Sequence, residues 1–388
     1  MIEIRTPDEA DYVQATRLDG RVFGEAWSDE EVQRELALID LTRHRVAVDG
    51  GTVVGAAGSY PFELTMPGGA FLRTGGVSFV FVGISHRRQG VLGRLMEAVH
   101  RDIDEREEPL AALTASEAGI YERFGYGVAT IRRVTSIDRS RARFLPRFEP
   151  ERASLRIVDH EDPALLGLLA ERWDRFRRLQ VGELDRPEKW LRFQIQNRGP
   201  STTWLLHDDG FASWKVAAEW NEGHPAHDLE LFDLAAATPE AHVALWHAVL
   251  SVDLVGSIHS RIVAPDEPLP FLLEDPRALR TVELNDLLWL FPRDVAACFA
   301  TRTYGTEDEL VVESDGRRWR VGSGGVRRVR SRPDLRVERS ALGPLLLGGV
   351  APTTLAAGRR LEARSSELLH RADLLFLTPP RPHPPTGF

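Results

Sequence analysis

Residues 74–106 read "TGGVSFVFVGISHRRQGVLGRLMEAVHRDIDER", and the hydrophobic period changes once within them. The first part is β-branched and aromatic; beyond it Leu92, Leu95, Met96, Val99 and Ile103 recur at helical spacing. "PLAALTAS" then returns to a strand pattern. Strand, helix and strand in so short a span imply a crossover connection, which commits this part of the chain to an α/β unit. The basic turn "SHRRQG" is thereby placed at the strand-to-helix junction.

That junction has a chemical reading. Arg87 and Arg88 supply cations, and Gly90 lets backbone N–H groups approach a diphosphate at the helix N-terminus. On its own an R-x-x-G match is also what an ordinary helix-cap turn would give. Its surroundings add weight. Upstream, "HRVAVDGGTVVGAAGSYPFELTMPG" reads as a hairpin turning at Asp49-Gly50-Gly51, and downstream "EAGIYERFG" reads as a short helix closed by Gly125.

The stretch "SRARFLPRFEPER", rich in Arg and Pro and without periodicity, reads as a linker into a second pass of the same kind. "DPALLGLLAERWDRFRRLQ" is helical, "TTWLLHDDGFASWKVAAEW" a hairpin at Asp208-Asp209-Gly210, "HDLELFDLAAAT" a strand and "PEAHVALWHAVLSV" a helix. Where the first pass has "SHRRQG", the second has "AATPEA", with no arginine and no glycine. The texture changes again after "EDPRALRTVELNDLLWLF". "DELVVESDGRRWRVGSGGVRRVR" reads as a hairpin at Asp315-Gly316, "SALGPLLLGGVAPTTLAAGRRLEA" as helical, and "DLLFLTPP" as a last strand.

Composition narrows the function. A chain of 388 residues is too long for one ordinary core, so two or three domains are expected. The balance of 49 basic against 58 acidic residues, a net charge of −9, speaks against nonspecific nucleic-acid or anionic-membrane binding. Arginines between Arg317 and Arg339 alternate with Trp319, Val321, Val326 and Val329, as on solvated strand faces. Cys298, the only cysteine, excludes intramolecular disulfides and reads as a core thiol of a cytoplasmic protein. "MIEIRTPDEADYVQ" lacks the pattern of a signal peptide, and no run approaches a membrane span of ~20 apolar residues. "GHPAH" pairs His224 with His227 but offers no third ligand, so no metal is expected.

Taken together, "HRRQG" after "VSFVFV", "ASEAGIYERFGYG", the degenerate second pass, "DPRALR" followed by "DLLWL", "LGPLLLGG" and a terminal Phe resemble the Eis (enhanced intracellular survival) family of GNAT N-acetyltransferases. GNAT pyrophosphate loops read R/Q-x-x-G-x-G/A; here Leu92 stands at the last motif position and Gly93 follows it. The resemblance implies two tandem GNAT-like domains of α/β character, residues 1–145 and 146–285, followed by a sterol-carrier-protein-like α+β domain, residues 286–388. It further implies acetyl-CoA as co-substrate, a small-molecule primary amine (aminoglycoside-like or lysine-type) as acceptor, and a homohexamer. By motif, Val80, Phe81 and Val82 would lie along the pantetheine arm, Arg88, Gln89, Gly90, Val91, Leu92 and Gly93 would cradle the pyrophosphate, and Ser116 and Glu117 would complete the site. Tyr121 would be the general acid, and the α-carboxylate of Phe388 the general base.

These roles make chemical sense. A phenol of ordinary pKa ~10 is close to a thiol in proton affinity and can protonate a departing thiolate. Without the resemblance, core packing would account for Tyr121 equally well, and Tyr126 is its rival. Glu25, Glu117, Glu122 and His86 read as solvated or cap residues, although Glu25 could contribute to an acidic amine pocket. Within the tail "TPPRPHPPTGF", the ten residues from Pro379 to Phe388 could span ~31 Å at ~3.1 Å per residue in polyproline form. Ordering a flexible tail costs about 1–2 kcal/mol per residue against ~2–3 kcal/mol gained by burying one Phe ring. Prolines 379, 380, 382, 384 and 385 reduce the freedom lost, which suits an inserted arm. Two alternatives stay open at this level: a lipid- or ligand-binding protein built around the third domain, and an acyltransferase using a longer acyl-CoA.

Overall fold

A computed structural model describes residues 2–150 and 155–388; the last two residues of the stretch read as a linker, 151 and 152, lie outside the described residues. The chain forms two compact units. One comprises residues up to Ala129, Leu288–Thr378 and Phe388; the other comprises Thr130–Leu287 and Pro379–Gly387.

The first unit opens with β1 (Glu3–Arg5), α1 (Glu9–Phe23) and α2 (Asp29–Leu38). Both helices carry a signal that a reading by period overlooks. Asp8 with Asp11, and Ser28 with Glu31, form reciprocal capping boxes that satisfy the N-terminal N–H groups. The hairpin β2 (His44–Asp49) and β3 (Thr52–Thr65) turns at Gly50-Gly51, where both residues take the positive φ that such two-residue turns require. β4 (Phe71–Val82), α3 (Val91–Glu105) and β5 (Leu110–Thr114) make the crossover unit, and β4 and β5 are parallel. α3 buries Leu95, Met96, Val99 and Ile103 at its helical spacing. β6 (Gly127–Val128) follows.

The second unit contains β7 (Ile131–Asp138), β8 (Arg156–Val158), α4 (Leu165–Arg177), α5 (Glu188–Arg198), β9 (Thr203–His207) and β10 (Gly210–Ala217). After a small ribbon of β11 (Trp220–Asn221) and β12 (His224–Pro225) come β13 (His227–Ala236), α6 (Pro239–Leu250), β14 (Val255–Val263) and β15 (Leu279–Asp286). Its seven-stranded sheet runs β15-β7-β14-β13-β10-β9-β8, and β13 and β14 are the parallel pair that α6 connects. Leu229, Leu231, Leu245, Trp246 and Ile258 lie at its centre.

β16 (Leu288–Pro292) returns to the first unit and inserts beside β5, completing the order β1-β2-β3-β4-β5-β16-β6. Then follow α7 (Val295–Thr301), β17 (Glu309–Ser314), β18 (Arg317–Gly322), β19 (Gly325–Arg328), β20 (Leu335–Val337), α8 (Leu342–Leu347), α9 (Pro352–Ala357), β21 (Leu361–Ala363) and α10 (Ser366–Phe376). These strands form a five-stranded sheet, β19-β18-β17-β20-β21. Arg318, Arg327 and Arg339 pair with Glu313, Glu309 and Asp315 at their ends or faces. Cys298 is buried.

Two elements differ from the sequence reading. "DLLFLTPP", read as a strand, is in its first half the end of α10 and in its second half irregular: Ser365 caps the helix, and Leu368, Ala372, Leu375 and Phe376 bury one helical face. "EAGIYERFG" is not one α-helix but two 3₁₀ turns, Ala118–Ile120 and Glu122–Phe124, ended by Gly125 at φ 103°. Three-residue pieces of this kind suit a 3₁₀ turn, since nothing in the stretch caps a longer helix. Among the described residues no helix is long and apolar enough to cross a membrane.

Candidate active site

β4 and β5 begin paired and then part. Their register covers only Thr74–Leu110 to Gly76–Ala112, so the last six residues of β4 have no partner on that side. A bulge contributes to the parting: the β3–β4 register shifts between Ala56 and Gly58, and Phe79 takes φ 56°, a conformation unfavourable for a residue with a bulky side chain. A cleft of about 790 Å³ opens along the parted strand. Val80, Phe81 and Val82 line it from β4, and Arg88, Gly90, Val91, Leu92 and Gly93 line it from the junction and the first turn of α3.

The junction is shaped for an anion. Arg88 has φ 62° and Gly90 φ 77°, so successive N–H groups turn away from a regular path, and no side chain caps α3. The free N–H groups and the positive end of a 15-residue helix therefore remain available. A Cβ built on Gly90 or Gly93 would meet no atom within 4 Å, so these glycines leave space beside the helix end. Arg88 has no ion-pair partner among the described residues. Arg87 is tied back, its Nε donating to the Val82 carbonyl at 3.3 Å. The matching helix of the second unit is self-sufficient: Thr238 accepts from the Ala241 N–H and caps α6.

The remaining residues singled out in the sequence divide. Glu117 and Tyr121 line the cleft; Ser116 is exposed and Gln89, whose Nε2 donates to the Ser85 carbonyl at 3.1 Å, does not line it. Val22 and Phe23 at the end of α1, and Ile120, Arg123 and Phe124 beside Tyr121, line it without having been foreseen. For the α1 pair the available signal was Gly24, whose positive φ ends that helix.

Tyr121 sits at the junction of the two 3₁₀ turns, only 7% exposed. Burial, and then the charge of Glu117, push its hydroxyl above the ordinary tyrosine range, so it stays protonated at neutral pH. Tyr126 packs edge-on to it at 6.2 Å, but the Tyr126 hydroxyl is fully buried against His100 Nε2 at 2.9 Å. That tyrosine belongs to the core.

Phe388 is half-buried in the first unit. Its ring lies 5.0 Å from that of Phe62, and Gly76 makes the room: a Cβ there would come within 2.9 Å of the Phe388 ring. Its main-chain oxygen accepts a hydrogen bond from Thr114 Oγ1 at 3.0 Å, at the last residue of β5. From Phe62 a row of rings leads to Tyr60, whose hydroxyl donates to Glu35 at 3.0 Å. Burial raises Glu35 and, aided by Glu25 and Glu35, pushes Asp19 up to about 7. Buried acids of this kind were not apparent in the sequence; for an acidic amine pocket only Glu25, which is exposed, had been named.

Comparison with known proteins gives concordant matches. GNAT acetyltransferase domain families match residues 3–129 and 182–289, and a sterol carrier protein domain family matches residues 295–385. The chain is 36% identical over 350 residues to the N-acetyltransferase Eis of Mycobacterium tuberculosis, covering 84% of each chain. It is 33% identical over 394 residues to an uncharacterised N-acetyltransferase of Streptomyces griseus, covering 93% of each. Among solved structures, Eis1 from Mycobacterium abscessus superposes with a TM-score of 0.90 at 31% identity over the whole of both chains. A GCN5-related N-acetyltransferase from Anabaena variabilis shares the fold, with a TM-score of 0.84 at 18% identity.

Proposed function

This chain belongs to the Eis family of GNAT N-acetyltransferases, and from that premise we propose that it transfers the acetyl group of acetyl-CoA to a primary amine of a small cationic molecule, with Tyr121 as general acid and the α-carboxylate of Phe388 as general base. The observation that carries the reading is the parted β4–β5 pair ending at an uncapped helix terminus. The exposed edge of β4 offers hydrogen bonds to an amide-bearing pantetheine arm, and the α3 N-terminus with Arg88 offers charge to a diphosphate.

The reaction requires two proton movements. The amine must lose a proton to attack the thioester carbonyl, and the departing thiolate must gain one. Tyr121 supports the second role because burial keeps its proton in place at neutral pH. Phe388 supports the first because its ring is anchored against Phe62 and its oxygen is oriented by Thr114. Asp19, Glu25 and Glu35 would draw a cationic acceptor toward the same unit.

A thiol-release assay with acetyl-CoA and a panel of aminoglycoside-like and lysine-type amines tests the reading. Release with at least one amine, and a fall in kcat of about 10²-fold or more for Tyr121→Phe at unchanged acetyl-CoA KM, are expected. No release with any amine would refute it. We also propose assembly as a homohexamer, for which Val282 and Leu284, 60% and 61% exposed on the edge strand β15, provide apolar surface. Light scattering should give six chain masses; a monomer mass would contradict this part.

A further inference from the structure

The residues just before Phe388 are held by a buried polar network that the acetyl-transfer chemistry does not itself call for. The second unit includes Pro379–Gly387. There, the Arg381 N–H donates to Asp266 Oδ2 at 3.0 Å, the His383 N–H donates to the Val181 carbonyl at 3.0 Å, and His383 Nε2 donates to the Ile262 carbonyl at 2.8 Å. The last side chain held is Thr386, 1% exposed, whose Oγ1 accepts from Arg186 Nε at 3.0 Å.

Arg186 is an unusual choice for gripping a hydroxyl. Its side chain is 2% exposed, its guanidinium lies 3.4 Å from the Trp173 ring centroid, and Nη1 donates to Asp233 Oδ1 at 2.9 Å. Asp233 is itself fixed by the Ser213 hydroxyl at 2.7 Å and by Arg198. On the other side stands Glu183, fully buried, with Oε1 accepting from the Leu184 N–H at 2.8 Å. Burial pushes its carboxyl up to about 7, with the nearby charge of Arg186 opposing. The Thr386 hydroxyl thus accepts a charge-assisted hydrogen bond from a buried cation, which fixes the direction of its lone pair.

Burying an arginine beside two acids is costly unless the geometry has a use, because desolvation offsets most of the attraction within such networks. A threonine could have been held by apolar packing alone. What the network adds is direction. Two residues after Thr386 the chain ends, and Gly387 has no side chain with which to correct its course.

We propose that Arg186 is a positioning residue for the terminal carboxylate: by fixing the Thr386 hydroxyl it sets where Gly387 and Phe388 leave the arm, and hence where the proton-accepting oxygens stand. This rests on the reading of the Phe388 carboxylate as the base. A misplacement of about 1 Å in such a group can cost about 10²-fold in rate without weakening cofactor binding.

The decisive variant is Thr386→Val, which keeps shape and removes the hydroxyl, since replacing Arg186 would take from buried Asp233 one of its two arginine partners and could prevent folding. The expected result is a fall of about tenfold or more in kcat with the acetyl-CoA KM unchanged, a lowered melting temperature because the Arg186 Nε–H loses its acceptor, and recovery of both kcat and melting temperature in Thr386→Ser. Unchanged kcat in Thr386→Val, in a protein that loses turnover when Phe388 is removed, would overturn the positioning role and leave the base intact. A loss that tracks a lowered melting temperature and is not recovered by Ser would also overturn it. If removal of Phe388 leaves turnover unchanged, it is the reading of the base that fails.

Discussion

Glu183 shows how one side chain can carry information that no sequence window holds. In "QVGELDRPEKW" it looks like any surface glutamate, yet it is fully buried and its carboxyl is pushed up to about 7 by that burial, with Arg186 and Thr386 opposing. Unfolded, a glutamate titrates near ~4.3, so between about pH 4.3 and 7 the folded protein binds more protons than the unfolded chain. Its contribution is therefore fully present below that window and is lost as pH rises through it. Buried His383, lowered by its burial, acts in the opposite sense, so the effect of Glu183 is read by difference. Urea midpoints at pH 5 and pH 8 should fall by more in the wild type than in Glu183→Gln; equal falls would contradict the assignment. Asp19 and Glu35 were hidden for the same reason, since their burial comes from helices and strands that meet only in the fold. Arg88 and Tyr121, by contrast, stand in short local motifs, and both line the cleft.

Among elements, α3 does the most. Its amphipathic face fixes it on the sheet, and its uncapped end faces the cleft. Arg88→Gln removes the free cation without disturbing an ion pair, and should raise the acetyl-CoA KM about tenfold while leaving the melting temperature unchanged. A loss of stability with unaltered KM would mean that the loop is structural. The hairpin at Gly50-Gly51, the crossover unit and α6 could be read from period and turn chemistry, because each is decided within a dozen residues. α10 was not, since "DLLFL" taken without Ser365 and Leu368 is equally apolar on both faces. Nor could β16 be assigned from "LWLFP". Its partners on β5 and β6 lie far away in the chain, and a continuous apolar strand does not say which sheet it enters.

At the scale of the whole molecule, the first unit draws on three stretches: residues up to Ala129, Leu288–Thr378, and Phe388 alone. Arg302 braces the place from which the arm departs, its guanidinium donating to the carbonyls of Leu345, Leu346 and Phe376 and to Thr378 Oγ1. From there to Gly387 the arm is accounted for within the second unit, and its final ring and oxygen are accounted for by Phe62 and Thr114. These contacts hold the proline-rich terminus along its length, which supports the proposed role of the terminal carboxylate. Appending a single residue after Phe388 tests that claim most directly, because it moves the charge by one residue while leaving every other group in place. The account predicts that thiol release falls by about 10²-fold or more, with melting temperature and acetyl-CoA binding preserved. Full turnover in the extended chain would contradict it.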